Sequence, residues 1–142
     1  MKFPYKKLIL PQPSSVFGRT VIKPIIPVEI IFGEKSLRYE ALIDSGADFC
    51  IFDALIGEWL GIPIKSGAKE KFGGIHGNLA SAYFHEVALV IGGWNYRIQA
   101  GFSYEITKYG YGILGQKGFF NFFVVKFDYK KGIIEALPKF PS

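Results

Sequence analysis

The stretch Ala41-Leu42-Ile43-Asp44-Ser45-Gly46-Ala47 constrains this chain more than any other. Three apolar residues run straight into an aspartate, and the chain then turns on a small hydroxyl residue and a glycine. A strand that ends on a carboxylate before a glycine turn presents that carboxylate at a fixed point. The tripeptide alone is also a common turn, in which Asp44 would simply be satisfied by nearby backbone N–H groups. The rest of the chain decides between these readings.

Most of the sequence is patterned for strands. Residues 21–32 are β-rich but hold Pro24 and Pro27, which suits an edge strand or two short ones. Residues 37–43 then form the second arm of a hairpin that delivers Asp44. Residues 49–52, 79–91, 94–102, 111–115, 122–128 and 132–137 read as further strands, with residues 65–71 as a polar candidate. Gly92-Gly93 marks a tight turn between two of them. Asp53 is placed to cap a short helix over residues 54–60, stopped by Gly61 and Pro63. A second short helix is expected at 116–120, and a loop at 103–110. Short strands with a turn every ten or so residues predict an all-β fold, closed or sandwiched, with one or two short helices.

With 142 residues there is chain for one core. The prolines and serines of residues 1–20 predict an irregular N-terminal arm, leaving 21–142 as the folded domain. Net charge is +5, but the cations are scattered and form no basic helix or aromatic-basic ladder. Solubility, not nucleic-acid binding, is the expected meaning. No apolar run approaches the roughly 18 residues of a spanning helix, and the N-terminus lacks the apolar core of a secretion signal. The expectation is a soluble cytoplasmic protein with no membrane span. Cys50 is the single cysteine and reads as a core residue. No dense His/Cys cluster suggests a metal site, and no cofactor is expected.

Two later stretches accompany Asp44. One is Gly112-Ile113-Leu114-Gly115-Gln116, an apolar strand closing on glycine. The other is the glycine-rich tip Gly73-Gly74-Ile75-His76-Gly77, where the backbone is free to approach a ligand closely. No Lys-Ser/Thr follows that tip and no helix pattern opens after it, which argues against a phosphate loop. Taken with Asp-Ser-Gly-Ala, these motifs resemble the retropepsins, the retroviral-type aspartic proteases. The likeness spans residues 20 to 137 or so.

The resemblance implies a closed, β-barrel-like acid-protease fold and a peptide substrate. It implies an aspartic endopeptidase in which Asp44 is one catalytic carboxylate and a homodimer supplies the second. Ser45, Gly46 and Ala47 would support the site, and Asp48 would contact substrate backbone. Gly73, Gly74 and Ile75 would form a flap over the substrate, with the Ile75 N–H holding a bridging water. Two positions depart from the pattern. Many members pair the equivalent of Asp48 with an arginine one residue after the later glycine, where this chain has Gln116. His76 replaces the usual small residue beside the flap tip. The alternatives are a catalytically silent domain of the same fold that binds peptides or dimerises, and a β-rich ligand-binding protein with a chance Asp-Ser-Gly.

Overall fold

The computed structural model describes residues 1–73 and 79–139. In chain order these form β1 (Lys2–Pro4), β2 (Lys6–Ser14), β3 (Gly18–Lys23), β4 (Ile25–Phe32), β5 (Lys35–Ile43) and β6 (Ile51–Asp53). Helix α1 (Ala54–Trp59) and a three-ten turn at Ile64–Ser66 follow. Then come β7 (Ala68–Gly73), β8 (Leu79–Ile91), β9 (Trp94–Ser103), a three-ten helix at Tyr104–Tyr109, β10 (Gly112–Leu114), β11 (Phe123–Asp128) and β12 (Ile133–Pro138).

The main sheet runs β4-β5-β10-β6-β9-β8-β7, and β4 pairs again with β8. Six strands therefore close on themselves, and β7 extends β8 away from the ring. Closure leaves few free edges on the strands that carry the core. Ile26, Ile30, Phe52, Leu89, Ile91, Phe102 and Leu114 point inward and are fully buried. Each contributes about 1.5–3 kcal/mol of apolar burial. The chain enters β4 past Pro24, so the proline-bearing stretch is two strands and not one long one. Pro27 lies before Glu29–Ile31, where β4 is paired on both sides, so its missing N–H costs no second ladder bond.

A second sheet has the order β1-β12-β11. Phe119, Phe123, Ile134 and Ala136 join it to the same core. The N-terminus is not irregular, as its prolines and serines suggested. β1 pairs antiparallel with β12, with Phe3 opposite Ile134, and β2 pairs with β3. Prolines at 11 and 13 fall where the β2–β3 register shifts, a position that needs no continuous ladder.

Two further local expectations are corrected. Residues 116–120 are a chain of turns and not a helix. Phe120 N bonds Gly115 O at 3.2 Å and Asn121 N bonds Gln116 O at 3.1 Å, five residues back, while Gly118 sits at φ +109°. That φ is incompatible with a continuing right-handed helix. Residues 104–109 are a three-ten helix and not a loop. Ser103 caps it, accepting from Glu105 N at 3.2 Å. Helix α1 starts where expected: the Asp53 carboxylate accepts from Leu55 N at 2.9 Å.

Candidate active site

Asp44 follows the last residue of β5. β5 and β10 run parallel, with Ala41, Leu42 and Ile43 opposite Gly112, Ile113 and Leu114. The ladder continues one step past the strand, because Asp44 N donates to Leu114 O at 2.9 Å. The two glycine motifs found in the sequence, 71 residues apart, are therefore side by side. The turn closes with Ala47 N on Asp44 O at 3.1 Å.

The loop after Asp44 is stitched to the loop after Leu114. Gln116 N donates to Ala47 O at 2.8 Å, and Lys117 N donates to Asp48 O at 2.9 Å. The Gln116 side-chain amide donates to Ser45 O at 2.7 Å. Gly115 lies between these contacts. A Cβ there would stand 2.4 Å from Phe49 O and 2.7 Å from Ala47 O, so only glycine lets the two backbones meet.

The Asp44 carboxylate is half-buried, while Ser45, Gly46 and Asp48 are exposed. Gly46 N donates to Asp44 Oδ1 at 2.9 Å. The bland reading of the sequence, a carboxylate satisfied by its own turn, is thus half met. The bond orients the group, and Oδ2 has no hydrogen-bond partner among the described residues. Asp48 likewise has no side-chain partner among them.

These residues line a cleft of about 750 Å³. Asp44, Gly46, Ala47 and Asp48 line it together with Lys71, Phe72 and Gly73 from β7 and Leu79 and Ala80 from β8. Gly73 thus lines the cleft. Gly74, Ile75 and His76 lie outside the described residues. The third wall is the three-ten helix, through Glu105, Ile106, Lys108 and Tyr109. The lining is mixed: aromatic and aliphatic surface, with carboxylates at 44, 48 and 105 and amines at 71 and 108.

Several contributors were not singled out in the sequence. Phe49 packs edge-on against Phe84 of β8, 4.7 Å between ring centres, and against Phe72 of β7 at 6.2 Å. It ties the Asp44 loop to the β7–β8 hairpin. Glu105 accepts from Ser81 N at 3.2 Å. β8 runs past the end of its pairing with β9, and this carboxylate supplies the acceptor the ladder lacks there. Asp53 serves twice, because Thr107 Oγ1 also donates to it at 2.6 Å. It joins α1 to the cleft wall. No spacing rule announces such contacts between segments 24 to 54 residues apart.

Cys50 is fully buried. Burial pushes its thiol up to about 12, opposed in part by a hydrogen bond with the Gly115 backbone. Such a thiol stays protonated and is no nucleophile. Among the described residues no three His, Cys, Asp or Glu side chains converge as metal ligands do, and no helix is long and apolar enough to cross a membrane.

No family model matches the chain, and no curated protein matches it in sequence. Among solved structures it is similar to an EIAV protease complexed with an inhibitor. The likeness has a TM-score of 0.50 at 20% identity and covers 66% of this chain and 82% of that one. The chain has the fold of a retroviral protease.

Proposed function

We propose that this chain is one half of an aspartic endopeptidase and that a two-fold homodimer completes the site. The observation that carries the reading is the position of Asp44. It stands on a turn tied down at Leu114, Ala47 and Gly46, on the floor of a peptide-sized cleft, in a fold similar to a retroviral protease. Each chain brings one such Asp-Ser-Gly-Ala turn, so the second carboxylate must come from a second chain.

Two carboxylates about one water suit peptide hydrolysis. One takes a proton from the attacking water while the other protonates the carbonyl oxygen. At about 3 Å they cannot both ionise readily, so the pair shares a proton. Ser45, exposed beside the axis, would bridge to the opposite chain. Gly46 and Asp48 would meet the substrate backbone, and an extended peptide would pair along the cleft in strand fashion. Gly73, which lines the cleft, would belong with Gly74 and Ile75 to a flap over the substrate.

The second reading is a silent domain of the same fold that binds peptides or dimerises. It draws on Gln116, which is uncharged and so gives Asp48 no cation, its amide being engaged by Ser45 O. A subunit-mixing assay separates the two. Asp44→Asn chains, exchanged into parent chains at fixed total protein, should lower peptide cleavage as the square of the parent fraction. A half-and-half mixture should keep about one quarter of the activity. A linear decline with verified exchange would mean a complete site in each chain. No cleavage by parent protein across a peptide library at mildly acidic pH would favour the silent domain.

A further inference from the structure

The β2–β3 hairpin is the part of the fold that the proposed site does not use. Among the described residues its strands pair only with one another, so each keeps one unpaired edge there. Ile9 and Val16 are 82% and 81% exposed, and Phe17 is 57% exposed. The turn is nevertheless ordered: Ser14 Oγ accepts from Val16 N at 3.0 Å and from Phe17 N at 3.1 Å. An ordered hairpin with bare apolar residues and open edges is an association surface unless something covers it.

Its root lies beside the catalytic turn. Pro24 O, one residue past β3, accepts from Ile43 N at 2.9 Å. Ile43 is the residue before Asp44. At the other side of the root, Lys6 is paired with Glu40 of β5. The arm thus leaves the body one residue from the point where a two-fold axis would run. Nine residues of β2 reach about 30 Å if straight, against a radius of gyration of about 14 Å for a chain this long. An arm rooted at the axis and of that length is long enough to reach across to a neighbouring subunit.

Charge points the same way. The first acidic residue is Glu29, and Lys2, Lys6, Lys7, Arg19 and Lys23 precede it, so this segment holds the chain's whole net charge of +5. Lys7, Arg19 and Lys23 have no carboxylate partner among the described residues. Asp48, which would face the axis from the other chain beside the dyad, has no cation partner among them.

We infer that the β2–β3 hairpin is a clasp that crosses the two-fold axis and packs on the second copy of this chain, burying Ile9, Val16 and Phe17. The inference rests on the two-chain site. Two-fold symmetry makes the exchange reciprocal, so each site is braced by both arms.

The test is sedimentation of full-length protein. Ile9→Ser, Val16→Ser and Phe17→Ser together should leave the far-UV circular dichroism unchanged, because these side chains are bare in the single chain, while melting becomes more dependent on protein concentration. They should weaken the dimer by at least about tenfold. Lys7→Glu with Arg19→Glu should weaken it too, and more at low salt than at high salt. A parent dimer that the variants match in affinity would overturn the clasp and leave the two-chain site standing. A parent that stays monomeric at every concentration, active or not, would overturn both. Parent binding to phosphatidylserine vesicles, abolished by the triple substitution with the dimer intact, would assign the arm to a lipid surface and overturn the clasp.

Discussion

The side-chain amide of Gln116 donates to the main-chain carbonyl of Ser45 at 2.7 Å, across 71 residues of sequence. An uncharged side chain here braces the turn that carries Asp44. The bond acts on backbone, so it fixes the direction in which Asp44 leaves β5.

Gln116→Ala should therefore cost about 0.5–1.5 kcal/mol, the usual worth of one such bond. Urea unfolding measures it. If the amide positions Asp44, kcat should fall several-fold while KM changes little. Equal stability and equal kcat would show that the bond positions nothing.

Gly115→Ala tests the close approach of the two loops. Its Cβ would press on the carbonyls of Phe49 and Ala47 at 2.4 and 2.7 Å, and both belong to backbone held by further hydrogen bonds. Relief requires moving the Asp44 loop. We expect a loss of more than about 2 kcal/mol and of most cleavage. A melting temperature within a degree of the parent would mean that the loops part easily.

Asp53→Ala removes the cap of α1 and leaves Thr107 without its acceptor. The combined cost should be about 1–3 kcal/mol. Thr107 belongs to the three-ten wall of the cleft, so peptide affinity should weaken as well. Asp53→Asn, which keeps one acceptor oxygen, should recover part of both. Failure of Asn to do better than Ala would count against the hydrogen bonds as the cause.

Alkaline pH should destabilise the protein through Cys50. Burial raises its thiol from 9.0 to about 12 in the folded chain. Between those values the unfolded chain releases the proton and the folded chain keeps it. The contribution is complete below about pH 9 and is lost as pH rises toward 12, by at most about 1.4 kcal/mol per pH unit. Tyr39 and Tyr96, also raised by burial, add to the fall above pH 10. Urea unfolding from pH 7 to 10.5 should show the decline, and Cys50→Ala should delay its onset. At neutral pH a thiol reagent should not affect cleavage by the folded protein.

Legibility in the sequence followed the range of the interactions. The strand that delivers Asp44, the long β8 and β9 hairpin, the Asp53-capped helix and the last hairpin are set by alternation, turn glycines and one capping carboxylate, all within a few residues of each other. Asp44 itself was legible because its turn is local, from the apolar lead to the Gly46 N–H that meets its carboxylate. The order of the N-terminus was not. β1 is held by β12 through bonds more than a hundred residues away, and no composition rule sees that pairing. The turns at 116–120 look helical in composition, but Gly118 is held at φ +109° with its N–H on the Asn121 side chain. The three-ten wall, Phe49 against two strands, and Glu105 on Ser81 depend on which surfaces the closed sheet brings together. The sequence alone thus determined most strands of the main sheet and the turn on which Asp44 stands. Tertiary structure decided what surrounds that carboxylate, because a cleft is made from residues that meet only after the ring has closed.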